Sequence, residues 1–223
     1  MCVQYHGVKS AQDYQRYFGV EPPPHPGKQD LWPGYEGSFI RRHPQGGVGD
    51  ALVTALEACN GLFGLVPHWA ANVQPARNNY NARSETVGEK PSYRDAWARA
   101  QHCIIPAQAI FEPDWRSGRA VSTRIERADG QPMGIAGIWS CWQSPQGAVF
   151  SYSMLTINAD QHPLMRNFHR PQEEKRMVVV LPEDRYADWL HAPVQDSADF
   201  LRPYPADALR AEAPPQPQAS LFG

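Results

Sequence analysis

The sequence predicts an α+β fold with a β-rich core. Short apolar runs of strand-like pattern recur along the chain, most of them bounded by Gly, Pro, Asn or Asp. Helical spacing is confined to three short segments. The chain has 223 residues, 42 % hydrophobic and 20 % charged, enough for one domain with a substantial core.

The elements follow in order. AQDYQRYFG (11–19) has helical spacing, ends at a glycine and is followed by prolines, so it reads as a helix. PPPHPGKQDLWPGYEG (22–37) is turn-rich and reads as a surface loop. SFIRRH (38–43) and ALVTALEACNGLFGLVP (51–67) hold strand-like runs, with the turn signal QGGVGD between them. Residues 72–86 are polar and irregular, and 92–103 read as a short helix. CIIPAQAIFEP (103–113) reads as a strand entering a bend. The stretch 120–142 reads as two strands around a DG turn. Residues 148–159 and 176–182 read as strands, and 182–191 as a helix with acids in its first turn. No internal repeat is present. The domain is expected over 1–210, with a flexible Pro-rich tail over 211–223.

Composition narrows the function. There is no apolar run of membrane length and no signal-peptide pattern, so a cytoplasmic protein with no membrane partner is expected. The four cysteines, Cys2, Cys59, Cys103 and Cys141, are scattered and form no CxxC, so neither a zinc site nor a redox pair is expected; no other metal and no cofactor are expected either. The net charge of −2 excludes a large basic face. Arginine nevertheless outnumbers lysine seventeen to four, which leaves room for a local phosphate-reading groove. An Arg-rich proteome would produce the same bias.

Cys2 follows the initiator methionine. Methionine aminopeptidases trim Met1 before a small residue, and trimming would leave an α-amine and a thiol on one residue. That 1,2-aminothiol traps aldehydes. An α-amine has a pKa of about 7.7–8.0 against about 10.4 for lysine, so it is the better nucleophile near neutral pH. Four further polar clusters lie at strand ends or bends: PHWA (67–70), NARSET (81–86), FEPDW (111–115) and NFHRP (167–171). Singly, each has an ordinary reading. Trp69 reads as core packing, Asn81 as a turn residue, Glu112 as a solvated bend and His169 as a satisfied histidine.

Together and in order, these segments resemble the SRAP (SOS response-associated peptidase) family of abasic-site DNA–protein crosslinking proteins. The carrying segments are MCVQ (1–4), FGLVPHW (63–69), NARSET (81–86), CIIPAQAIFEPDW (103–115), AGIW (136–139), TINA (156–159) and FHRPQEEKRM (168–177). The resemblance runs from residue 1 to about residue 190. It implies a bifurcated β-barrel with peripheral helices. It also implies capture of the ring-opened sugar aldehyde of an abasic site in single-stranded DNA, as a thiazolidine.

By matching positions, the resemblance implies that Cys2 supplies amine and thiol and that Asn81 holds the amine. Glu112 becomes the general acid/base, and His169 protonates or orients the sugar oxygen. Arg83 grips a phosphate beside the lesion. Trp69 and Pro33 wedge against bases, and Thr156 and Arg176 complete the expected DNA contacts.

The chain departs from the family pattern at several points. Val3 and Gln4 replace Gly and Arg, Phe63 replaces Trp, and Pro113–Asp114 splits a Glu–Trp dipeptide. RPQEEK (170–175) separates His169 from Arg176, so His162 is a rival to His169. Two other classes stay open. One is an N-terminal-nucleophile cysteine peptidase using Cys2 and His169. The other is a non-catalytic single-strand DNA binder. The tail segment QASLF (218–222) is similar to the short peptides that hold the bacterial sliding clamp. The clamp is therefore an expected partner through Gln218, Leu221 and Phe222. A monomer is expected.

Overall fold

A computed structural model describes residues 2–25, 27–44 and 55–212. The expected turn at 45–50 and the tail residues Gln218, Leu221 and Phe222 lie outside the described residues.

Five strands close a barrel: β3 (Glu36–Arg42), β4 (Leu56–Phe63), β6 (His102–Asp114), β8 (Met133–Ser144) and β9 (Gly147–Asn158). The numbering leaves β1 as Gln4–Gly7, β2 as Asp30–Leu31, β5 as Asn81–Arg83 and β7 as Val121–Arg127. β10 is Arg176–Val178, β11 is Val180–Leu181 and β12 is Leu209–Glu212. Around the barrel, β3 pairs β4, β4 runs parallel to β9, β9 pairs β8, β8 pairs β6 and β6 returns to β3.

The barrel splits along β6, a 13-residue strand. Its first half lies between β8 and β3, and its second half between β7 and β1. Almost every β6 residue from His102 to Asp114 is buried, as befits a strand covered on both faces. The barrel interior holds Phe39, Phe63 and Tyr152 in ring contact, with Tyr5 against Phe63. At the end of β4, Gly64 has φ +115, and a Cβ there would stand 1.7 Å from the Ala76 carbonyl oxygen. Only glycine lets the chain turn here into the PHW segment.

Three helical segments appear where the spacing predicts them. The first begins as α1 (Ala11–Asp13), capped by the Ser10 hydroxyl, and continues as a wider turn over Tyr14–Phe18 to Gly19 in the left-handed region. The others are α2 (Arg94–Ala98) and α3 (Tyr186–His191), the latter preceded by a 3-10 turn over Glu183–Arg185. No described helix is long and apolar enough to cross a membrane.

Three local expectations are corrected. β7 and β8 do not form a hairpin around Asp129–Gly130. Both run antiparallel to β6 and lie end to end along the same edge of it. The DG turn is an excursion between two collinear strands, and Gln108 Nε2 on β6 donates to the Gly130 carbonyl beneath it at 3.1 Å. The run 176–182 is likewise two strands, because β10 pairs β9 whereas β11 pairs β8. The change of partner falls at Val179, whose N–H donates to Leu155 and whose carbonyl accepts from Ala136. Finally, the polar stretch 72–86 is not wholly irregular. It carries a 3-10 turn over Gln74–Arg77 and then β5, which joins β9 in parallel.

Candidate active site

Four segments converge on one end of the split barrel. Cys2 precedes β1, which registers Gln4 opposite Phe111 and so brings the chain start beside Glu112. Asn81 opens β5 next to β9. His169 follows a 3-10 turn over Met165–Asn167 and is held to β6 through a bridge between Phe168 and Asp114.

Cys2 is fully buried, and its thiol donates to the Gln4 carbonyl at 3.3 Å. Burial raises the thiol pKa far above its ordinary value, and the Glu112 charge adds to this, so the sulfur is protonated at neutral pH. The Asn81 amide donates to the Cys2 carbonyl at 2.7 Å. Asn81 Oδ1 is buried and accepts no hydrogen bond from the described residues. An acceptor left in that state is costly unless a donor arrives. It lies on the group that grips Cys2.

Glu112 is 1 % exposed, which corrects its reading as a solvated bend. Burial lifts its pKa from 4.5 to about 7, against the opposing positive charge of the chain's amino terminus. It can therefore give or take a proton near neutrality. His169 Nε2 stands 3.6 Å from Glu112 Oε2. His169 is itself buried, and burial lowers its pKa to about 4, helped by the positive amino terminus. The contact is thus between a neutral imidazole and a carboxyl, not an ion pair. Nε2 also faces the Arg176 carbonyl at 3.1 Å, so the proton of the neutral ring sits on Nε2.

The backbone of His169 has φ +65, a strained setting for a residue with a Cβ. Its N–H donates to the Pro113 carbonyl at 2.9 Å. Pro113 and Asp114, which part Glu112 from Trp115, therefore extend β6 and seat His169. The rival His162 lies elsewhere in the hydrogen-bond network. Its Nδ1 accepts from the Leu164 and Met165 N–H groups, and its Nε2 donates to the Tyr204 carbonyl at 2.8 Å.

A cleft of about 700 Å³ opens beside this cluster; His169 lines it, whereas Cys2, Asn81 and Glu112 do not and are represented there by their chain neighbours Val3, Tyr80 and Pro113. Val3, Tyr80, Arg83, Pro113, Trp115 and His169 line it, together with Arg170, Glu173, Glu174 and Arg176. Tyr80 was not singled out from the sequence. Its hydroxyl pKa is raised, first by burial and further by its closeness to Cys2 and Glu112. Its position directly before the NAR triplet was the available signal. Trp115, in the sequence only a member of the FEPDW cluster, carries the Arg170 guanidinium over its ring at 5.1 Å from the centroid.

The expected DNA-contacting residues divide into two groups. Arg83 is half-exposed and paired with Glu174 at 2.7 Å. Trp69 is 55 % exposed, which corrects its reading as core packing, and Pro33 is half-buried beside exposed Trp32 and Tyr35. Neither Trp69 nor Pro33 lines the cleft. Thr156 and Arg176, by contrast, are buried and bound to each other. Arg176 spans Glu85 with both terminal nitrogens, at 2.8 and 2.9 Å. In this arrangement the pair braces the cleft wall from inside and presents little surface to a strand.

The raised pKa of Glu112 has a thermodynamic consequence. The native chain holds this proton up to about pH 7, whereas the unfolded chain releases it near 4.5. The group's contribution is therefore intact below pH 4.5, falls as pH rises to about 7 and stays low above that. Glu112→Gln removes the burden. The variant is expected to gain up to about 3 kcal/mol over the parent at pH 8, and little at pH 4.5. Urea midpoints at the two pH values check this, and an equal difference at both would contradict it.

Comparison with known proteins adds the following. Residues 1–214 match the SRAP family, described as SOS response associated peptidase. The chain is 31 % identical over 156 residues to the abasic site processing protein YoaM of Bacillus subtilis, covering 67 % of this chain and 64 % of YoaM. It is 24 % identical over 165 residues to the abasic site processing protein HMCES of Xenopus tropicalis, covering 63 % of this chain and 48 % of HMCES. The matched region thus spans less than two thirds of either relative. A crystal structure of a Bordetella bronchiseptica protein superimposes with a TM-score of 0.87 at 48 % identity, over 95 % of this chain and 99 % of that one. A Bacteroides thetaiotaomicron protein of 19 % identity shares the fold, with a TM-score of 0.76.

Proposed function

The chain belongs to the SRAP family, and from that membership we propose that it processes abasic sites in single-stranded DNA by covalent capture on Cys2. The observation that supports this most is the convergence of Cys2, Asn81, Glu112 and His169 beside a cleft that His169 lines. Relatives named abasic site processing proteins point to the same substrate.

The reaction requires removal of Met1, which puts the α-amine on Cys2. About a quarter of such amines are neutral at pH 7.4. The amine adds to C1′ of the open-chain sugar, and the carbinolamine loses water to give an imine. The Cys2 thiol then adds to the imine carbon and its proton passes to the ring nitrogen. The product is a thiazolidine, with one water lost overall. Asn81 Oδ1, buried and without a hydrogen-bond donor among the described residues, suits an N–H of the new amine.

Glu112, with a pKa of about 7, suits both proton transfers. As the acid it protonates the departing oxygen. As the carboxylate it takes the proton from the protonated thiol. His169 is neutral near pH 7 and bears its proton on Nε2, so the orienting role suits it better than the acid role. Ring closure is intramolecular, and effective molarities for well-oriented attack reach about 10⁵ M or more, so closure outruns imine hydrolysis.

The peptidase reading is less well supported. A thiolate–imidazolium pair needs a low thiol pKa and a raised imidazole pKa, and both groups move the other way.

The two histidines separate the geometries. His169→Ala is expected to slow capture about tenfold or more. His162→Ala is expected to leave the capture rate unchanged and to destabilise the fold by about 1–3 kcal/mol, because a buried N–H (Met165) and a part-buried one (Leu164) lose their acceptor. Gel-resolved capture rates and urea midpoints on both variants check this. A slow His162→Ala variant with normal stability would move the chemistry to the wrong histidine.

A further inference from the structure

The cleft contains a carboxylate where a strand-binding site needs an anion. Glu174 Oε2 accepts from Arg83 Nη1 at 2.7 Å. Its Oε1 accepts from Arg176 Nη1 at 2.8 Å and from Asn158 Nδ2 at 3.2 Å. Three donors from β5, β9 and β10 thus converge on one carboxylate. These charge-assisted hydrogen bonds, Arg176 first, hold the Glu174 pKa below its usual value, so it is ionised. Two oxygens held in this way resemble the two non-bridging oxygens of a phosphodiester.

Arg176 does not depend on Glu174 for neutrality. It is 2 % exposed and already has the two-pronged partner Glu85. Arg83 differs: its side chain is 47 % exposed, and among the described residues its ion-pair partner is Glu174. An exposed Arg–Glu pair is weak and readily exchanged. The backbone around Glu174 is anchored. Lys175 N–H donates to Asp160, Ala159 N–H donates to Lys175, and Glu173 N–H donates to Arg170. Release of Arg83 therefore needs only rotation of the Glu174 side chain.

We infer that Glu174, held at the Arg83–Asn158–Arg176 corner, covers the exposed guanidinium of Arg83 as a built-in competitor of the DNA strand. The inference rests on the proposed strand-binding function and adds to it a residue that sets affinity. Glu174 lies in the 170–175 segment that separates His169 from Arg176, so the segment tunes access to the cleft. Strand entry exchanges the Glu174 carboxylate for a backbone phosphate at Arg83. Binding to intact strands is thereby kept weak, and stable engagement is left to covalent capture.

The test is fluorescence anisotropy with an intact single-stranded oligonucleotide at low salt, using the full chain. Glu174→Gln is expected to tighten binding about three- to tenfold. Glu173→Gln makes the same charge change one residue away and is expected to give a smaller gain. In an Arg83→Ala background most of the Glu174→Gln gain should vanish, a coupling that general electrostatics would not produce. Equal gains from the two glutamine variants, or a full Glu174→Gln gain without Arg83, would overturn the inference. Capture of an abasic oligonucleotide by the parent chain, run in parallel, separates the two levels. Capture without the predicted tightening defeats only the competitor role. Neither binding nor capture by any form defeats the proposed function and this inference with it.

Discussion

Cys2→Ala is expected to lose stable capture altogether while retaining an imine that borohydride can trap. The variant keeps an α-amine after Met1 removal, because alanine is also small enough to be exposed by trimming. It keeps the Asn81 contact too, since Asn81 holds the backbone carbonyl of residue 2 and not its side chain. Only the ring-closing sulfur is missing. The imine then partitions back to aldehyde, because no neighbouring nucleophile at effective molarity intercepts it. Denaturing gels of reactions with and without borohydride read this directly. A stable adduct from Cys2→Ala without reductant would place the bond elsewhere.

Glu112→Gln has the next largest expected effect, a loss of about 10²-fold or more in capture rate. The amide keeps the size and buries without charge, but it cannot move a proton. The pH profile carries more information than the rate. In the parent, capture rises as the α-amine deprotonates at about 7.7–8.0. It is opposed by loss of the protonated Glu112 above about pH 7. The parent profile should therefore pass through a maximum. Glu112→Gln should rise monotonically with amine deprotonation. The same variant gains stability at high pH, so a slow rate cannot be attributed to unfolding. A parent-like maximum in Glu112→Gln would remove Glu112 from proton transfer.

Much of this was legible in the sequence, and the exceptions have physical causes. Strand existence followed from local pattern, because β3, β6, β8 and β9 carry strong apolar runs. Strand partnership did not. A DG turn between two strands signals a hairpin locally, yet both strands lie along β6 because that strand is long enough to hold them in series. The break at Val179 is equally invisible, since it reflects a change of partner within one apolar run.

At the site, the order of motifs singles out Cys2, Asn81, Glu112 and His169, which the fold brings close to one another. Their burial could not be read from the sequence, and burial produces the shifted pKa values of Glu112 and His169. The choice of His169 over His162 rested on proximity to the Arg176 strand. The Pro113 carbonyl and the Glu112 contact supply a geometric reason. The Arg83–Glu174 pair joins residues 91 apart, which no local pattern announces.

The central claim is tested most directly by intact mass, followed by peptide mapping, of the purified chain mixed with a single-stranded oligonucleotide bearing one abasic site. The account predicts a single adduct. Its mass is the Met1-less chain plus the oligonucleotide less one water, with the modification on Cys2 and no adduct on the undamaged oligonucleotide. An adduct that retains Met1, maps to a lysine or forms equally on undamaged DNA would contradict it.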